Sequence, residues 1–189
     1  MALAAATVRG GESQATNLDN TILALVLTES YADGGYAVVY PKAAFQLMEV
    51  QPEEVKRSLK HFPNRRDTND VVNSLVDRLF ERNRLSGTRK AVQFSLPSSP
   101  TNGYVLDYDA KYGKYFKNDG GGWPQFYKEN PKAHGIITVS LPAHDEQSGL
   151  VLIYRGISQH GLQGKGELIL YKLEKGQLSQ IDRVVLWIA

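Results

Sequence analysis

The sequence has no cysteine among its 189 residues, which excludes disulfide scaffolds, thiolate zinc sites, iron–sulfur clusters and cysteine nucleophiles. It also lacks any apolar run near the ~20 residues that a membrane-crossing helix needs; runs such as residues 22–27 are far too short. A dominant charge is missing as well. Lysine and arginine number 22 against 20 acidic residues, a net of +2, whereas a dedicated nucleic-acid binder carries a basic footprint across its composition. The sequence therefore predicts no nucleic-acid partner. With 42% hydrophobic and 22% charged residues, the chain is too apolar and too balanced for disorder.

Residues 1–16 read as a flexible N-terminus ahead of a single domain over 17–189, helix-rich to 87 and strand-rich from 88. The opening Met1-Ala2-Leu3-Ala4-Ala5-Ala6 has the small residues that a signal peptidase leaves, without the charged and long apolar regions of a leader. Two alternatives stand: a trimmed leader with an added methionine, or an ordinary frayed terminus. Asn17 or Asp19 can cap a first helix whose apolar residues Leu18, Ile22, Leu25 and Val26 follow a 3.6 period, ending before Asp33-Gly34-Gly35. Residues 36–40 form a strand stopped by Pro41. Pro52, with Glu53 and Glu54 behind it, suits a second helix start, carrying Val55, Leu59 and Phe62. Asp67 or Thr68 begins a third, with Val71, Val72, Leu75, Val76, Leu79 and Phe80 as a wide stripe and Gly87 closing it.

After Gly87 the periodicity falls from 3.6 to 2, and 12 of the 17 glycines follow. Strands are expected over 91–96, 104–108, 135–141, 150–157, 166–173 and 180–188. The late connections are short and polar, as between antiparallel neighbours; parallel pairing needs a long crossover. The fold class is therefore α+β, with N-terminal helices packed on one face of an antiparallel sheet and a C-terminal β-meander. Both faces of 166–173 are partly apolar, so a loop or a partner is expected over the second face.

The glycine run from Gly161 to Gly166 lacks the P-loop pattern: Lys165 is followed by Gly166 and Glu167, and a strand comes next. A bulged strand start with close backbone packing accounts for it better. This Gly164-Lys165-Gly166 start, the Glu174-Lys175-Gly176 turn and the Trp187-Ile188-Ala189 end resemble a loose group of uncharacterised bacterial exported domains. The strands at 135–140 and 150–154 share in the likeness, which covers the chain from Trp123. The resemblance implies a cell-envelope location and no particular activity; Ala189 stands where that group would have a serine.

Eight aromatics fall within residues 104–127: Tyr104, Tyr108, Tyr112, Tyr115, Phe116, Trp123, Phe126 and Tyr127. Carboxylates, amides and the run Gly120-Gly121-Gly122 lie among them. Rings that stack beside polar groups that fix orientation are what a sugar or a protein hot spot asks of a surface; the same rings can instead fill a core and its rim. The glycines read as a mobile loop that closes over a ligand or merely connects. Residues 53–90 carry a local net of +4 against −2 over the remainder, either a solvated helical face or a docking surface for an acidic partner or anionic headgroups.

The favoured reading is a non-enzymatic binding or inhibitory module of the bacterial envelope, periplasmic or secreted, with a cytoplasmic location as the alternative. It would recognise a protein or glycan through Tyr108, Tyr112, Tyr115, Asp119, Trp123 and Tyr127, with Arg65, Arg66 and Arg82 as electrostatic support. No catalytic residue, metal or cofactor is assigned. The alternative is a small hydrolase or metal-dependent enzyme using His134, His160 and nearby carboxylates, which an enzyme of that kind requires to converge. His144 is expected at the opposite edge of the meander from His160.

Overall fold

The structure is a computed structural model describing residues 15–28, 31–43, 51–59, 69–83, 92–97, 99–117 and 120–189. Its first helix, α1 (Asn17–Leu27), is capped by Thr16 rather than by Asn17 or Asp19. The Thr16 hydroxyl accepts from the Asp19 N–H at 3.1 Å while the Asp19 carboxylate accepts from the Thr16 N–H at 2.9 Å, a reciprocal capping box. The buried stripe is Ile22, Leu23, Val26 and Leu27; Leu18 and Leu25 stay 39% and 38% exposed.

β1 (Tyr36–Val39) follows the turn at Gly34, whose φ of 68° favours glycine. α2 (Pro52–Leu59) and α3 (Asn69–Asn83) bury Val55, Leu59, Val72, Leu75, Val76 and Leu79, the residues that the spacing selects. Each such side chain contributes about 1.5–3 kcal/mol by leaving water. The expected helix limits at Phe62, Asp67, Thr68 and Gly87 lie outside the described residues.

Beyond them come β2 (Tyr104–Leu106), a 3₁₀ turn at Tyr112–Phe116 and α4 (Gly122–Glu129). β3 (Ala133–Val139), β4 (Ala143–Asp145), β5 (Leu150–His160), β6 (Gln163–Glu174) and β7 (Gln177–Ile188) complete the fold. The seven strands form one sheet of order β2-β1-β3-β5-β6-β7, with β4 also against β5. The α+β class and the C-terminal meander expected from the sequence are both present: β3, β5, β6 and β7 pair antiparallel in that order.

The other edge is parallel, making the sheet mixed. β1 lies between β2 and β3 and runs parallel to both, with Ala37 beside Tyr104 and Val38 beside Ile136. The connections here contain α2, α3 and α4, long enough for the crossovers that parallel pairing needs. Among the described residues of the strand expected at 91–96, only an isolated bridge is formed, Gln93 against Lys42. Phe94 and Leu96 are nonetheless buried in the core.

Helices cover both faces, where the sequence suggested one. α1, with Phe94 and Leu96, packs on Ala37, Val39, Ile137, Val139, Val151, Ile153 and Ile169. On the opposite face α2 and α3 cover Leu150, Leu152, Tyr154, Leu168 and Leu170, and the 3₁₀ turn with α4 covers Val38, Ala133 and Ile136.

The Gly-Lys-Gly start of β6 has a steric cause. Gly166 lies opposite Trp187 on β7, and a Cβ there would come within 2.0 Å of the indole nitrogen. At Gly164 a Cβ would lie 3.3 Å from the same ring. The two glycines clear a shelf for Trp187, whose Nε1–H donates to the Tyr154 hydroxyl at 3.1 Å. This is the close backbone packing that the sequence suggested.

Candidate functional site

The aromatic stretch divides into a buried layer and a surface. Tyr112 and Tyr115 from the 3₁₀ turn and Phe126 from α4 are at most 5% exposed and rest on Val38, Ala133 and Ile136. Their rings meet edge-on: Tyr115 and Phe126 have centroids 5.6 Å apart at 83°, a geometry in which ring edge meets ring face. Asp107, itself buried, sets the start of the 3₁₀ turn by accepting from the Lys111 N–H at 2.8 Å and the Tyr112 N–H at 3.3 Å. Burial raises the pKa of the Tyr112 hydroxyl, and likewise those of Tyr36 and Tyr40 in the same cluster.

Outside this layer three rings form a row, Phe116 exposed and Trp123 and Tyr127 half-buried against the layer. Phe116 is 40% exposed and meets Trp123 at 4.7 Å and 62°; Trp123 stacks on Tyr127 at 5.8 Å and 25°. Tyr127 is fixed by its hydroxyl, which donates to the Gln159 carbonyl at 2.6 Å. A polar rim lies beside the row. Glu129 accepts from the Tyr115 hydroxyl at 2.5 Å, from Gln125 at 2.6 Å and from Lys114 at 3.1 Å. Those bonds, the Tyr115 hydroxyl first, pull its pKa down from 4.5 to about 2.

The triple glycine is a built turn. A Cβ on Gly120 would lie 2.2 Å from the Lys114 carbonyl oxygen and 2.5 Å from that of Tyr115. Gly121 and Gly122 hold φ of 76° and 60°, and α4 begins on Gly122 itself, with Pro124 in its first turn as the sequence suggested. The turn seats α4 against the 3₁₀ turn and thereby aligns Phe116 with Trp123. No known protein family, curated protein or solved structure matches the chain.

The structure brings together Tyr112, Tyr115, Trp123 and Tyr127 of the expected site, and it separates Tyr108 and Arg82 from them. Tyr108 is 44% exposed, but its hydroxyl ties the 92–97 segment, donating to the Phe94 carbonyl and accepting from the Leu96 N–H. Arg82 is engaged internally. It donates to Asp19 at 2.7 Å and to the Pro142 carbonyl, joining α3 to the cap of α1. Burial works against a charge on Asp19, but the bonds from Arg82 and Thr16 outweigh it and hold the carboxyl below the usual range. Other helical cations are engaged too: Lys56 pairs with Glu53 and Asp77, and Arg78 donates to the His144 carbonyl. Arg65, Arg66 and Asp119 lie outside the described residues.

His134, at the start of β3, stacks on Tyr31 at 4.2 Å and pairs with Asp33 at 2.9 Å. His160 ends β5 at that same end of the sheet, and His144 lies on β4 at the other end, as the meander predicts. Among the described residues no group of three or more His, Asp or Glu is placed to hold a metal ion. Sequence reasoning did not put Phe116 or Glu129 in the site. Phe116 follows Tyr115 directly, and alternation around a tight turn, where one ring goes in and the next out, was the available signal.

Proposed function

We propose that the chain is a non-enzymatic binding or inhibitory module of the bacterial cell envelope, recognising a protein or glycan partner through the row Phe116, Trp123 and Tyr127. The observation that carries this reading is the row itself: three rings aligned at the surface by a turn of three glycines, over a layer of buried rings that already fills the space beneath. An aromatic row with amide, ammonium and carboxylate groups at its margin suits stacking on a sugar ring or seating a partner's apolar side chain. The envelope location rests on the likeness of the chain from Trp123 onward to exported domains.

The test is retention on the immobilised protein of purified peptidoglycan fragments and of solubilised envelope proteins, comparing wild type with Phe116→Ala/Trp123→Ala. The expected outcome is a retained glycan or protein whose binding falls by tenfold or more in the variant, as hot-spot truncations of about 1.4 kcal/mol or more produce. Equal retention by both would overturn the reading.

A further inference from the structure

A glycan and a protein make different demands on a row of aromatic rings, and the angles between these rings separate the two. A sugar lays its flat side on an open ring face, so a glycan surface keeps faces free and turned the same way. The row at Phe116, Trp123 and Tyr127 does neither. Trp123 gives one face to Tyr127, 5.8 Å away at 25°. Its plane stands at 62° to Phe116 and 84° to Phe126, with centroids 4.7 Å and 5.5 Å apart. Each such edge-to-face contact covers a face of one of its two rings. Phe126 also meets Tyr127, at 5.0 Å and 74°. Faces are thus spent within the cluster, which leaves mainly ring edges to meet a partner.

A ridge of edges suits a protein surface. Apolar side chains pack along it, and because ring edges carry partial positive charge they favour carboxylate and carbonyl oxygens over cations. Rigid Trp and Tyr side chains are also those that dominate protein–protein contacts.

The charges around the row favour an acidic partner. From Lys111 to Lys132 the sequence has five lysines against Asp119 and Glu129, a net of +3. Glu129 is already held by Tyr115, Gln125 and Lys114. Ahead of the 3₁₀ turn Asp107 is buried on the Lys111 and Tyr112 N–H groups, while Asp109 is exposed. Lys111, Lys117, Lys128 and Lys132 are exposed and enter no ion pair among the described residues. Two of them adjoin the row, Lys117 directly after Phe116 and Lys128 directly after Tyr127. At β5 the row meets the backbone carbonyl of Gln159 and no charged group.

We infer that the partner at this row is a protein segment presenting an apolar or aromatic side chain flanked by carboxylates. Given the row as a binding surface, on which this rests, the side chain packs along the ring edges and the carboxylates meet Lys117 and Lys128.

A random peptide display library panned on the immobilised full chain tests it, with purified peptidoglycan fragments applied in parallel. Wild type enriches peptides in which Leu, Phe or Trp stands among Asp and Glu, and added salt weakens their binding. Phe116→Ala/Trp123→Ala lowers that binding by about tenfold or more. Lys117→Gln/Lys128→Gln, at exposed positions that do not disturb folding, lowers it about two- to fivefold per lysine and flattens its salt dependence. No enrichment, enriched peptides without acidic residues, or binding indifferent to Lys117→Gln/Lys128→Gln would overturn the proposal. Peptidoglycan retention that Phe116→Ala/Trp123→Ala abolishes would overturn it too, while leaving the row a binding surface; peptide and glycan binding both unchanged in that variant would overturn the surface itself.

Discussion

Replacing Gly166 by alanine should cost more than most surface substitutions, although it adds one methyl at a strand position. That methyl would lie 2.0 Å from Nε1, 2.5 Å from Cε2 and 2.8 Å from Cδ1 of Trp187, so the indole must leave its shelf. Overpacking of this kind costs about 1–3 kcal/mol, and losing the Trp187–Tyr154 hydrogen bond adds about 1 kcal/mol. The expected destabilisation is about 2–4 kcal/mol, a large share of the 5–15 kcal/mol typical of a folded domain. Urea unfolding followed by circular dichroism and tryptophan fluorescence measures it. Gly161→Ala is the control: nothing lies within 4 Å of its added Cβ, and it should change stability by no more than about 0.5 kcal/mol. In a Trp187→Ala background the clash disappears, so Gly166→Ala should become nearly harmless, a coupling of at least about 1 kcal/mol. A Gly166→Ala protein as stable as wild type, or strictly additive costs, would mean that the glycines do not make room for the indole.

Arg82→Met leaves Asp19, whose side chain is 4% exposed, without its cation and should destabilise the protein by about 2–4 kcal/mol in urea unfolding; adding Asp19→Asn should recover part of that loss. Asp19 is held below its ordinary pKa, so its contribution is complete above the carboxylate range and is lost as pH falls through the folded value. Glu129, drawn from 4.5 to about 2, obeys the same sign. The melting temperature of wild type should exceed that of Glu129→Gln at neutral pH, with the gap closing between pH 4.5 and about pH 2.

The elements readable in the sequence are those whose cause is local. The α3 stripe from Val72 to Leu79 selects its buried side by period alone, the apolar run from Leu168 to Tyr171 is buried on both faces of the sheet, and short polar turns dictate the meander. The parallel edge was hidden because nothing near Tyr36 records that Tyr104 and Ala133 will lie beside it. Residues 91–96 have the apolar content of a strand, but Phe94 and Leu96 satisfy it by packing under α1 without a ladder. The aromatic density was visible at once; its division was not, since Tyr112 and Tyr115 differ from Phe116 only in which side of a 3₁₀ turn they occupy. Arg82, Lys56 and Arg78 look like a free basic face in the sequence because their partners, Asp19, Asp77 and the His144 carbonyl, arrive from other elements.

The parallel edge also sets an order of assembly. In β5, β6 and β7 each strand meets the one that follows it in the chain, so closing each pair costs little entropy. β1 has no such neighbour: Ala37 must wait for Tyr104 and Val38 for Ile136. The buried rings under Phe116 rest on Val38 and Ile136, so the aromatic row rests on the contacts most expensive to close. Its readiness is therefore tied to the completion of folding: a chain with its meander formed and β1 still unpaired has no row to present.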